Sequence, residues 1–253
     1  AHGAEVFGVG VDDEGARTQR LPARGVKLMY VTPGHQFPLC TTMSLARRME
    51  LLEWAQRSGT VIFEDDYDGE FRYSGRPIPA MQGLGAAGLV LYAGSFSKVM
   101  FPALRLGYLV LPEELLERAG AVKSITTRHC PVFEQSVLAE FIAEGHFARH
   151  LRRMREVYAE RLNVLLAEGR RELNGVLELS DVEAGLQTVG WLQGVSADAA
   201  VKAACARGVD VTALVGTKSP GLQLGFAAVR PAEIRRGVRG LALALEAARG
   251  NTA

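Results

Sequence analysis

Two short aliphatic runs constrain most strongly what this chain can fold into. "TVIFEDDYD" (residues 60–68) and "LVLYAGSFS" (89–97) are continuous in β-branched and aliphatic residues until each breaks into a polar cluster. Runs of that length without alternation read as strands buried on both faces, the pattern of a parallel sheet. A third run, "VKLMYVTP", precedes them and is stopped by Pro33. Between the third run and the first lies "SLARRMELLEWAQRSG", which predicts a helix with Ser44 as N-cap, Leu45, Met49, Leu52 and Ala55 on one face, and Gly59 as its stop. Strand, helix, strand, strand with short connections is an α/β arrangement. Upstream, "GAEVFGVGVDDEG" predicts a further strand, Glu5 to Val11, running into an Asp/Gly turn.

From Glu134 the pattern changes to long helices, with apolar residues at three- and four-residue steps between Arg and Glu. The last hundred residues alternate strand, helix, strand, helix, which makes a second, smaller α/β unit. The expected division is therefore residues 1–150 and 151–253, with the boundary inside the helical region. No internal repeat or low-complexity segment appears.

A formal net charge of +1 gives no general footprint for nucleic acid or an anionic membrane. The basic helix "RHLRRMREVYAERL" interleaves its arginines with Met154, Val157 and Leu162, so it reads as the solvated face of a packed helix. Cys40, Cys130 and Cys205 are odd in number and lack metal-ligand spacing, and they read as thiols in a reducing compartment. His129, His146 and His150 read as surface residues, and Trp54 and Trp191 as core or domain-interface residues. No basic and apolar leader and no uninterrupted apolar span appears, so a cytoplasmic location without membrane contact is expected.

The chemistry concentrates in "LYAGSFSKVMFPALRLGYLVLP" (residues 91–112), an apolar run with Ser95, Ser97, Lys98 and Arg105 in its middle. Hydroxyls and a guanidinium can hold a phosphate, and a buried lysine beside cationic neighbours keeps a neutral amine for Schiff-base chemistry. The bland alternative is a lysine snorkelling at a strand end. In "VIFEDDYDGEF", Glu64, Asp65, Asp66 and Tyr67 fall at a strand's carboxyl end, where open α/β sheets bind ligands. A carboxylate there can pair with a protonated pyridine nitrogen, and a phenol can bond the ring oxygen. An acidic turn or a metal-binding cluster is the alternative, although no histidine stands at useful spacing for a metal.

"VTPGHQFP", "EDDYDGEFRY", "IPAMQGL", "YAGSFSKVMFPALRLGYLVLP" and "GLQLGFAAV", in this order, resemble the aminotransferase-like domain of the MocR/GabR regulators. Those proteins join a winged helix-turn-helix to a fold type I pyridoxal phosphate domain. The resemblance implies an α/β fold type I transferase fold: part of the large domain, with a mixed, mostly parallel sheet, plus the small C-terminal domain. It implies pyridoxal 5'-phosphate as cofactor, with Lys98 forming the internal aldimine, Asp65 on the pyridine nitrogen and Tyr67 on the ring hydroxyl. Ser95, Ser97 and Arg105 would contribute to the phosphate cup. An amine or amino-acid effector, a homodimer, and DNA contact only through a winged helix-turn-helix not present in this chain are the implied partners.

Three departures stand out. His35 and Gln36 lie in the loop where class I aminotransferases carry an asparagine before "PTG", but here Phe37 takes that place and "PLC" follows. Ala228 occupies the position of an arginine that grips a carboxylate in the relatives, with Arg230 two residues on and facing the same way if the strand continues. The glycine-rich phosphate loop and ring-stacking aromatic expected upstream of "GAEVFGV" are missing, so the chain reads as the C-terminal portion of a longer protein with exposed apolar surface. The rivals to a regulator are a true aminotransferase and a dimerisation scaffold that no longer binds cofactor.

Overall fold

In a computed structural model, which describes residues 3–85, 88–128 and 131–250, the chain opens on a small hairpin of β1 (Val11–Asp12) against β2 (Gly15–Ala16). The expected strand from Glu5 does not form. Residues 4–8 are all exposed and have no ladder to join, so water satisfies their backbone as well as a partner would.

The first sheet contains β3 (Leu28–Val31), β4 (Val61–Asp66), β5 (Val90–Ser95) and β6 (Gly107–Val110), in that order. β3, β4 and β5 run parallel and β6 closes the row antiparallel, giving a mixed, mostly parallel sheet. Helix α1 (Leu45–Ser58) links β3 to β4, capped by the Ser44 side chain on Arg47 N and ended by Gly59 at φ +70°. Short 3-10 turns occupy Met81–Gly83 and Pro102–Leu104, and α2 (Phe96–Val99) is a single turn after β5.

Among the described residues one face of this sheet is well buried and the other much less so. Met29, Val31, Ile62 and Val90 share a core with Leu51, Leu52, Trp54 and Ala55 of α1. The opposite face carries Leu28, Tyr30 and Leu109, all exposed. On β4 and β5, the strands expected to be buried on both faces, Phe63, Leu91 and Ala93 of this second face are half-buried, so that expectation is met on one face and only in part on the other. A covering helix must bury a stripe, and α3 (Glu113–Thr126) buries no residue while α4 (Val132–Ala143) buries only Leu138.

The inward stripe of α1 also differs from the expected one. Leu45 and Met49 are exposed, whereas Arg47 and Arg48 are 5% and 3% exposed. Both guanidiniums are held by oxygens: Arg47 donates to the Ala16 carbonyl at 2.8 Å and meets Asp12 and Glu14, pinning the hairpin. Arg48 donates to the carbonyls of Met43, Pro33 and Pro79 at 3.1, 2.9 and 2.8 Å. A guanidinium can be buried when most of its donors find oxygens, and periodicity counted on apolar residues alone misses it.

The chain divides into two compact units, one of residues 1–37, 41–69 and 76–148, the other of 38–40, 70–75 and 149–253. The second takes most of α5 (His146–Glu172), then β7 (Leu177–Leu179), β8 (Gln187–Leu192), α6 (Ala197–Cys205), β9 (Thr212–Ala213), β10 (Gly221–Gly225) and α7 (Pro231–Gly250). Its sheet is antiparallel throughout, in the order β7-β8-β10-β9. Leu173, Val189, Leu222, Phe226, Leu241 and Leu245 form its core.

Trp54 is buried in the first unit and donates to the Pro22 carbonyl at 2.9 Å. Trp191 packs on the second core and donates to Ser180 Oγ at 3.2 Å. His129 and Cys130 lie outside the described residues. Among the described residues no helix is long and apolar enough to cross a membrane.

Candidate functional site

Because β3, β4 and β5 are parallel, their carboxyl ends share one edge, and the register fixes which residues meet there. Asp65 lies beside Ala93 and Asp66 beside Gly94, so Tyr67 emerges next to Ser95. Ser95 in turn pairs with Gly107, two residues past Arg105. Asp65, Tyr67, Ser95, Ser97, Lys98 and Arg105 are thus all carried by one sheet edge, the edge at which open α/β sheets take ligands.

The polar centre of residues 91–112 has a local explanation. Ser95 stops β5 by turning its hydroxyl onto Ser97 N at 3.2 Å, and the Phe96 amide donates to the Leu106 carbonyl at 3.0 Å. Lys98 stands on the resulting turn and is exposed, while Val99 beside it is buried. The expectation of a buried lysine is therefore corrected. Arg105 is also exposed and holds a left-handed backbone at φ +52°, uncommon outside glycine. Gly94 is required where it stands, since a Cβ there would lie 2.3 Å from the Tyr108 ring.

The four acidic residues of "EDDYD" separate into different tasks. Glu64 is buried and accepts from the amides of Met81 and Gln82 at 2.9 and 3.0 Å, with Arg48 at 4.0 Å. Burial pushes its carboxyl above the usual range, against the pull of those donors and the cation. Asp66 is tied to Gly69 N at 3.0 Å and to the Tyr92 hydroxyl at 2.8 Å. Burial and the Asp66 charge together drive the Tyr92 phenol upward. Asp65, on the open face, accepts from the Tyr30 hydroxyl at 2.5 Å. Desolvation of the hydroxyl, with the carboxylate beside it, pushes Tyr30 up to about 12.

Tyr67 and Asp68 point to a partner that the sequence did not connect with them. The Tyr67 hydroxyl donates to the His35 carbonyl at 2.7 Å and lies 3.3 Å from His35 Nδ1. His35 Nδ1 is 2.9 Å from Asp68 Oδ2, and both residues are 2% exposed. Gln36 turns its side-chain amide onto the adjacent Phe37 carbonyl, and Phe37 is exposed. Cys40 holds φ +62°, so the cysteine stands in the backbone conformation that the glycine of "PTG" would adopt without strain. Tyr30 and His35 could have been found by noting that each ends or follows the β3 run on the same edge as Asp65.

In the second unit β10 stops at Gly225, and Ala227 to Val229 form a turn rather than more strand. Arg230 is exposed and bonds Glu233 at 3.3 Å, so it does not continue the Ala228 face as expected. The Ala227 carbonyl instead accepts from Arg161 of α5.

Residues 11–241 match the family model of "Aminotransferase class I and II". The chain is 38% identical over 245 residues to the "Probable rhizopine catabolism regulatory protein MocR" of Rhizobium meliloti, covering 94% of this chain and 50% of that protein. It is also 38% identical to the "Uncharacterized HTH-type transcriptional regulator YhdI" of Bacillus subtilis, covering 91% of this chain and 50% of that one. The chain thus spans about half the length of these curated relatives. Among solved structures, a Pyrococcus horikoshii kynurenine aminotransferase in complex with PMP superimposes with a TM-score of 0.86 at 26% identity, over 94% of this chain and 63% of that one. The two-unit α/β architecture is that of the fold type I aminotransferases, and the chain belongs to the class I and II aminotransferase family.

Proposed function

We propose that the chain is the pyridoxal phosphate-binding, aminotransferase-like effector domain of a MocR/GabR-type transcriptional regulator, with residues 1–150 and 151–253 as its large-domain and small-domain parts. The observation that carries this reading is the gathering of a carboxylate, a phenol, an amine, two hydroxyls and a guanidinium on one sheet edge. That donor set fits a phosphorylated pyridine aldehyde: each polar function of such a molecule has a complementary group among Asp65, Tyr67, Ser95, Ser97, Lys98 and Arg105. When bound, the cofactor supplies an electrophilic carbon that amines attack and a ring that withdraws electrons.

The residues divide the work by their chemistry. Lys98, exposed on its turn, offers an amine within reach of the edge and a base for a neighbouring proton. Asp65 holds a carboxylate whose anionic form favours a protonated pyridine nitrogen. Tyr67 orients the ring through its oxygen, and Ser95, Ser97 and Arg105 bind the phosphate dianion. An amine or amino-acid effector competing with Lys98 changes these contacts. A homodimer in the cytoplasm, with DNA bound by a winged helix-turn-helix outside this chain, completes the reading. The regulator relatives support it, and Ala228, where the resemblance implies a carboxylate-gripping arginine, weighs against the catalytic rival.

The test is to add pyridoxal phosphate to the full-length protein and to its Lys98→Ala variant, and to record visible absorption before and after borohydride. A band fixed by borohydride in the parent and lost in the variant is expected. No band in either protein would sink the cofactor role and leave the fold as a scaffold. A second reading, a catalytic aminotransferase, is supported by the likeness to solved aminotransferases. Release of a keto acid from an amino acid would establish it.

A further inference from the structure

We infer that the buried pair His35 and Asp68 is the positioning device for Tyr67, so that two residues behind the phenol decide how it is presented to the ligand. This rests on the cofactor reading above, in which Tyr67 faces the ring oxygen.

An ionised carboxylate can only accept, so the 2.9 Å contact puts the His35 proton on Nδ1, aimed at Asp68 Oδ2. The same residue takes the Tyr67 proton on its carbonyl at 2.7 Å, with the phenol oxygen 3.3 Å from Nδ1. The hydroxyl hydrogen is therefore committed inward, and Tyr67 turns lone pairs toward its ligand. It acts there as an acceptor, which favours a ring oxygen that keeps its proton. Packing alone does not account for the pair. His35 Nε2 and Asp68 Oδ1 are buried without a hydrogen-bond partner among the described residues, an arrangement that apolar side chains would fill at lower cost. The arrangement costs stability and secures orientation, as expected of groups that act through a neighbour. Asp68 and Tyr67 are the titratable groups bonded to His35. Asp66, bonded to Gly69 and Tyr92, and Glu64, bonded to Met81 and Gln82, are engaged elsewhere.

The experiment has a cofactor-free arm and a cofactor arm, both on the full-length protein. In the first, ring 15N shifts of His35 should show the proton on Nδ1, and Asp68→Asn should move the Tyr67 ring resonances. A proton on Nε2, or Tyr67 resonances indifferent to Asp68→Asn, overturns the inference whatever the cofactor does, and the tautomer readout needs no variant that must fold. In the second, the pH midpoint of the cofactor's visible band should shift by roughly one pH unit in Asp68→Asn, about the worth of one hydrogen bond, and in the same direction as in Tyr67→Phe. In a Tyr67→Phe background Asp68→Asn should add nothing, and His35→Asn should behave alike. A shift that persists undiminished in that background overturns the positioning role. Failure of the cofactor reading would appear separately, as no band in the parent, and the first arm would then decide alone.

Discussion

The two units bury their apolar residues to very different degrees. In the second, Ile234, Val238, Leu241 and Leu245 of α7 join Val189, Leu222 and Leu224 of an antiparallel sheet in one closed core. In the first, every residue of β6 is exposed, α3 buries nothing, and the sheet face bearing Leu28, Tyr30 and Leu109 lies open. An antiparallel sheet is complete with one covered face, whereas a parallel one needs cover on both. The candidate site therefore lies on the unit that is less able to stabilise itself, and its polar anchors matter more there.

The sharpest way to break this contrast is inside the closed core. Leu245→Ala in the second unit should cost about 3 kcal/mol in urea unfolding, since a fully buried leucine in a packed cluster leaves a cavity. A cost under about 1 kcal/mol would show that this core is looser than it looks. In the first unit a polar anchor should carry comparable weight. Arg48→Met strands three carbonyls and removes the cation nearest Glu64, and should cost about 2 kcal/mol.

The third effect is a pH slope. The folded Glu64 holds its proton above the ordinary glutamate value, so the unfolded chain releases a proton first as pH rises. Stability is then greatest below the ordinary value, falls as pH climbs toward the raised one, and levels off above it. Glu64→Gln should flatten that slope in denaturation curves run from about pH 4 to about pH 8. The smallest expected change is at Ile125 on α3, 83% exposed. Ile125→Ser should leave stability within about 0.5 kcal/mol while lowering concentration-dependent association measured by light scattering.

Much of this contrast was legible from the chain alone, and the illegible part has specific causes. The strands at residues 61–66 and 90–95, the α1 caps at Ser44 and Gly59, and the alternation of the last hundred residues follow from local signals. Arg47 and Arg48 break the apolar count because their guanidiniums are held largely by oxygens of other segments, among them the Ala16 and Pro79 carbonyls. Glu5 to Val11 looked like a strand because propensity says nothing about a missing neighbour. At the site, the order of the quoted segments drew attention to Asp65, Tyr67 and Lys98. Only the fold could join His35 to Asp68, 33 residues apart, or reveal that Lys98 stands in solvent.

The two tryptophans give this asymmetry an optical counterpart. The sequence contains only Trp54 and Trp191, and each belongs to a different unit, with its indole N–H held by a local acceptor. Replacing either with phenylalanine leaves a single indole among these 253 residues, whose emission colour reports the wetting of its own unit. Each half of the molecule can therefore be followed by native fluorescence while it melts, without attaching a dye.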